Sequence, residues 1–160
     1  MILIEDTRQQ SGKHDLKHRQ FEEMGVQLIR CALPFGDYAV IPEVSVDTKR
    51  NMDEIAMNLT ADHERFRHEC ERARDAGCML FILVETEWDI NSIDDVHLWE
   101  NPRSPLSSKA VSGAKLEKIM KTMERRYGVR FYFCRPNNSA QYIVKLLSGE
   151  IRRGEEQGNH

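Results

Sequence analysis

The run Cys78-Met79-Leu80-Phe81-Ile82-Leu83-Val84-Glu85 constrains this chain more than any other segment. Its interior is apolar without interruption, so a strand built from it has no polar face to offer water and needs cover on both sides. Such a strand belongs in the middle of a sheet, with helices packed above and below. The neighbouring segments supply those partners. Met1 to Asp6 reads as a first strand running into acid, Val26 to Ile29 as a second, and Val129 to Cys134 as a late one. His14 to Met24 places Leu16, Phe21 and Met24 on one side of a short helix closed by Gly25. Further helices are expected from Asp53, as N-cap, to Leu59, from Ala61 to Ala76, from Ala114 to Tyr127, and from Ser139 to Ile151. Strands alternating with helices imply an α/β fold with a mixed central sheet and helices on both faces.

Two segments depart from that alternation. Tyr38 to Ile41 and Val44 to Lys49 are β-prone runs separated by Pro42-Glu43, a pattern that predicts a hairpin. Thr86 to Gly113 has no clear periodicity and reads as an insertion, a lid or a binding loop. Trp88 and Trp99 within it are expected to fold back onto the domain, with stacking on bases as the functional alternative. One domain over residues 1–151 and a polar tail over 152–160 follow from this layout.

The 160 residues are enough for one hydrophobic core without staples. With 40% hydrophobic and 31% charged residues, the composition is that of a globular protein and not of a disordered chain. No apolar run is long enough to span a bilayer, and the first residues lack a basic flank, so a soluble, intracellular protein is expected, with no membrane partner. Cys31, Cys70, Cys78 and Cys134 have no zinc-type spacing and read as reduced core residues. His63 and His68 are five apart and do not share a helical face as a zinc pair would; surface roles are expected. A net charge of −3 argues against a broad polyanion binder, so any nucleic-acid surface must be a local basic patch. Lys115, Lys118, Lys121, Arg125 and Arg126 recur along one predicted helix. They read as a solvated face or, alternatively, as a stripe that follows DNA phosphates.

The segment richest in chemistry is Gly36-Asp37-Tyr38 followed by Val46-Asp47-Thr48-Lys49. Side chains alternate along a strand, so Asp47 and Lys49 share a face. The expected hairpin would bring Asp37 to the same edge, gathering two carboxylates and an ammonium. Mg²⁺ is commonly held by one or two carboxylates, and a nearby lysine can orient a water or offset charge on a phosphate. An acidic residue two before a lysine is also a common solvated ion pair, so the spacing alone leaves both readings open.

Taken together, Ile4-Glu5-Asp6-Thr7-Arg8-Gln9, Leu33-Pro34-Phe35-Gly36-Asp37-Tyr38 and Val46-Asp47-Thr48-Lys49, with Asp53 four residues on, resemble the XPF-type structure-specific nuclease domain. That family carries Asp-x-Arg-Glu after its first strand, then Gly-Asp, then Glu-Arg-Lys and a following Asp. The resemblance extends through Arg65 to Cys70 and Ile82 to Glu85 and fades over residues 86–113. It implies a restriction-endonuclease-like α/β core and a Mg²⁺- or Mn²⁺-dependent endonuclease for branched, flap or junction DNA, in repair or recombination. It makes Asp37 and Asp47 metal ligands, with Asp6 in the same acidic cluster. Lys49 becomes the catalytic lysine, and Arg8 a phosphate contact. Asp53 supports the strand-to-helix corner, and Glu85 either joins the acidic site or caps the central strand. Homodimers or heterodimers through the nuclease domain are implied as well.

The sequence also departs from the family pattern. Gln9 replaces a glutamate, and Asp47-Thr48-Lys49 replaces Glu-Arg-Lys, with Arg50 as a substitute cation from the neighbouring face. The residues after Ile151 are too few for the tandem helix-hairpin-helix modules that relatives use to grip DNA. A stand-alone domain of this kind would suit a phage or mobile element. The rival reading is a non-catalytic DNA-binding subunit that organises an active partner.

Overall fold

The computed structural model describes residues 2–8, 15–34, 36–40 and 42–151, in two compact units that divide between Glu43 and Val44. Gln9, His14 and the 152–160 tail lie outside the described residues.

The first unit is a three-stranded sheet with one helix. β1 (Ile2–Asp6) lies in the centre, parallel to β2 (Gln27–Cys31) and antiparallel to β3 (Tyr38–Val40). Helix α1 (Asp15–Glu23) makes the crossover that a parallel β1–β2 pair requires. The expected stripe on α1 is realised only at Phe21, whose ring meets Tyr38 edge-on at 5.7 Å; Leu16 and Met24 are 63% and 65% exposed.

The second unit is built on a parallel sheet of β4 (Val44–Lys49), β5 (Met79–Glu85) and β6 (Arg130–Cys134), with β5 in the middle. The uninterrupted apolar run behaves as its composition requires. Leu80, Ile82 and Val84 enter one core cluster with residues of α2 (Met52–Leu59), α3 (His63–Asp75) and α4 (Gly113–Tyr127). Phe81 and Leu83 enter a second cluster with Leu146 of α5 (Ser139–Ser148). Helices therefore cover both faces, and each fully buried branched side chain of β5 contributes about 1.5–3 kcal/mol. The mixed α/β class is as expected.

The hairpin is not. β3 pairs with β1, and β4 pairs with β5, so Tyr38 to Val40 and Val44 to Lys49 belong to different sheets. The physical reason lies in β4: a partner apolar on both faces offers Val44 and Val46 far more burial than the short, half-exposed β3.

The 86–113 segment is not a loose insertion either. Ile90, Val96, Trp99 and Val111 are buried in the main core, and a 3₁₀ turn spans Ile93–Leu98. Ser92 and Asp95 cap that turn reciprocally. Trp99 folds back as expected, whereas Trp88 is 40% exposed. Gly113 lets α4 start close against the turn, because a Cβ there would meet the carbonyl oxygens of Val96, Trp99 and His97 at 2.5, 2.6 and 2.9 Å. Cys70, Cys78 and Cys134 are buried free thiols, and Cys31 is exposed. Among the described residues no helix is long and apolar enough to cross a membrane.

Candidate active site

Asp47 and Lys49 stand near the end of β4, and the register with β5 decides where they point. Asp47 is opposite Ile82 and Lys49 opposite Val84. Partners in a parallel ladder project to the same face, so both charged side chains turn towards α3 and the larger core cluster. Lys49 is 7% exposed. Its ammonium lies 2.7 Å from Asp47 Oδ2 and 5.2 Å from the ring centroid of Phe66. An ammonium this buried needs an opposite charge to offset its lost hydration, and Asp47, helped by the negative face of the Phe66 ring, supplies it.

Asp47 Oδ2 is itself buried, and apart from the Lys49 ammonium no donor reaches it among the described residues. A buried carboxylate oxygen with one cationic partner keeps a lone pair that a hard cation can use. On that observation Asp47 fits a divalent metal. Burial, with the negative charges of Glu69 and Asp47 beside it, pushes the neighbouring Cys70 thiol up to about 12. That group stays protonated and fills the core.

The turn from β4 into α2 is set by residues that the motif pattern does not mark. Asn51, not Asp53, is the N-cap: its Oδ1 accepts the Glu54 backbone N–H at 2.8 Å. The Glu54 carboxylate reaches back to accept the Arg50 backbone N–H at 2.8 Å and its Nε at 3.3 Å. The Arg50 hydrogen bond and charge hold the Glu54 carboxyl below its ordinary value against the cost of burial. Asn-x-x-Glu at residues 51–54 is a capping-box pattern, a signal present in the sequence. Arg50 is committed to this corner, and Asp53 sits in the first turn of α2, half-buried.

In the first unit Asp6 is 1% exposed and its carboxylate is fully engaged. It accepts hydrogen bonds from Arg8 N at 2.7 Å, Arg8 Nε at 2.9 Å, Arg8 Nη2, and Leu33 N at 3.2 Å. The Arg8 hydrogen bonds hold its carboxyl far below the usual carboxylate range. The two residues assigned by resemblance to metal and phosphate are here bonded to each other, and Arg8 also donates to the Leu33 carbonyl at 2.9 Å. Asp37 is exposed at the end of its loop, and its carbonyl accepts the Asp6 N–H at 2.9 Å. Its charge adds to that of Asp6 in keeping Arg8 protonated.

Glu5, unremarked in the sequence, is as buried as Asp6. It meets His18 Nε2 at 2.8 Å, the donating Tyr38 hydroxyl at 3.2 Å and Arg30 Nε at 3.4 Å. Burial raises the Glu5 carboxyl, but the His18 and Tyr38 hydrogen bonds and the nearby cations outweigh it and leave it lowered. Only the pairing of β3 with β1 and the placing of α1 could reveal this cluster.

The remaining expected residues are dispersed. Glu85 is in register with Cys134 on the face opposite Asp47 and Lys49, so it does not join them. Lys115, Lys118, Lys121 and Arg125 are exposed on α4, but Lys121 is neutralised by Asp94 at 2.5 Å and Glu117 at 2.6 Å. His63 and His68 are exposed. Among the described residues no group of three or more His, Cys, Asp and Glu side chains is gathered to hold a metal.

Comparison with known families defines the class. The ERCC4 domain model matches residues 5–146, and the chain belongs to that family. The family is one of structure-specific DNA nucleases, in keeping with the XPF-type motifs and the α/β core. The chain is similar to a solved structure titled XPF from Aeropyrum pernix, at 24% identity and TM-score 0.45, with 98% of this chain and 64% of that one covered. It is similar also to the Aeropyrum pernix XPF titled as a complex with DNA, at 21% identity and TM-score 0.47, covering 97% and 69%. The chain thus spans about two thirds of the length of these structures. No curated protein matches it.

Proposed function

We propose that this protein is a metal-dependent DNA endonuclease that cuts phosphodiesters at branched, flap or junction DNA during repair or recombination. The observation that carries the reading is the part-buried Asp47–Lys49 pair on a family-matched strand, with the Lys49 ammonium as the one partner of the buried Asp47 Oδ2 among the described residues. Bound Mg²⁺ or Mn²⁺ would supply Lewis acidity and a water of lowered pKa. Asp47 would hold it. Lys49 has two tasks: it orients the attacking water and offsets negative charge growing on the phosphate. The Asn51–Glu54 corner keeps β4 and α2 in a fixed relation, so that Lys49 is not free to swing out. Pairing of two copies, or with a related chain, through the nuclease domain belongs to the same proposal, as does a place inside the cell.

A non-catalytic DNA-binding subunit is the second reading. It draws on the commitment of Asp6 to Arg8, which leaves that carboxylate no free lone pair directed at a metal. Cleavage assays separate the two. Wild type, Asp47→Asn and Lys49→Ala are incubated with linear, flap and four-way-junction DNA in Mg²⁺, Mn²⁺ or EDTA. Metal-dependent nicking of a branched substrate, lost in both variants, supports the nuclease. Binding without cleavage in every metal supports the subunit.

A further inference from the structure

The second unit contains a cleft that the nuclease chemistry leaves unused. It lies between the outer side of α2 and the loop 101–111, has a volume of about 280 Å³, and is lined by Arg103, Lys109, Ser107, Thr60, Met57 and Asp53 among others. Its loop is built to hold a shape. Asn101 is buried, and its Nδ2 donates to the Val111 carbonyl at 2.9 Å, which closes the loop at its base. Asn101 Oδ1 accepts the Arg103 N–H at 2.9 Å, and Ser107 Oγ accepts the Lys109 N–H at 3.2 Å, so both basic residues leave the loop from fixed backbone positions. Trp99 and Val111 anchor the two ends in the core.

The charges in the cleft are unbalanced. Lys121 elsewhere is held by two carboxylates; here Asp53 lines the cleft as its one carboxylate against two cations, and it forms no ion pair with Arg103 or Lys109 among the described residues. Arg103 Nη2 reaches only the Met57 sulfur, at 3.5 Å, which is a weak acceptor. A guanidinium and an ammonium lining one cleft, with the Ser107 hydroxyl, match the oxygens and charge of a phosphate. α2 runs from this cleft back to Asn51 and Lys49, so a strand seated here is carried on the same helix that follows the lysine.

We propose that Arg103 and Lys109 grip a DNA backbone phosphate in this cleft, so that the 86–113 segment supplies part of the DNA hold. The choice of DNA as the source of the phosphate rests on the nuclease reading. The chemistry itself would also suit a free phosphate or mononucleotide.

The test is fluorescence anisotropy of labelled flap DNA with the full chain in EDTA, over a range of salt. Arg103→Ala/Lys109→Ala is compared with Arg65→Ala/Arg72→Ala, which removes two exposed charges from α3 instead. Thermal melts of both confirm folding. The proposal expects about tenfold weaker binding for the first pair, and a log–log salt slope shallower by about 0.9 for each phosphate no longer neutralised. Little change is expected for the α3 pair. Equally weakened binding by both pairs, or unchanged binding by the first, would overturn it. Inorganic phosphate or dAMP binding that needs Arg103 and Lys109, with DNA affinity unaffected, would overturn the DNA assignment in favour of a small-phosphate site. The nuclease reading stands or falls separately, on metal-dependent cleavage by wild type and its loss in Asp47→Asn, because Asp47 is not part of the cleft.

Discussion

Lys49 and Asp47 form an ion pair of 2.7 Å on the face of β4 that packs against α3, two residues apart on one strand. Their spacing makes them neighbours, and burial makes each depend on the other. Lys49→Met would leave the Asp47 carboxylate without its counter-charge, while Asp47 stays 21% exposed and can partly rehydrate. A loss of roughly 1–3 kcal/mol is therefore expected, below the cost of breaking a fully buried pair. Denaturant unfolding of Lys49→Met, Asp47→Asn and the double variant gives the coupling. Additive losses would mean that the pair carries no energy of its own.

Metal binding should be visible without any substrate. If Asp47 is a ligand, Mg²⁺ or Mn²⁺ stabilises the folded chain by mass action, by about 2.7 kcal/mol at a hundredfold excess over Kd, and the melting temperature rises. Asp47→Asn should abolish the rise. An equal rise in the variant would place the metal elsewhere.

Acid should weaken the first unit through Asp6 and Glu5. Both carboxyls are lowered by folding from ordinary values of 3.8 and 4.5. Their stabilisation is therefore complete above those values and is lost as pH falls through the range beneath them. Melting temperature should fall steeply below about pH 4.5, and Arg8→Ala should flatten that fall by removing the main donor to Asp6. A wild-type acid profile shared in full by Arg8→Ala would refute the role of this clamp.

Gly113→Ala tests how tightly the 86–113 segment is bound. The added methyl meets three backbone carbonyl oxygens at 2.5–2.9 Å, none of which can rotate away. A cost of about 1–3 kcal/mol or somewhat more is expected, or several degrees in Tm. An unchanged Tm would show that the 3₁₀ turn moves freely off α4.

Much of this was legible in the residues. The run through Leu80 to Val84 announced a strand covered on both faces, and the 3.6-residue pattern over Leu116, Met120 and Met123 announced α4, ended by Gly128 at φ 72°. Asp47 and Lys49 were placed on one face by strand alternation alone, and the motif order led to the family that the domain match shows. These features depend on neighbours within a few residues, where backbone geometry is the same in every fold.

What only the tertiary structure decided depends on partners distant in the chain. Tyr38 to Val40 and Val44 to Lys49 look like two arms of a hairpin, yet the first pairs with β1 and the second finds its burial beside β5. Asp6 and Arg8 carry the charges of a metal and phosphate site, yet the fold turns them onto each other and onto Leu33. Residues 86–113 have no period because Ile90, Val96, Trp99 and Val111 fill irregular gaps in a core made by other elements. Local sequence sets which faces are apolar and which atoms can ligate. Competition for burial across the whole chain sets which of those atoms remain free to do so.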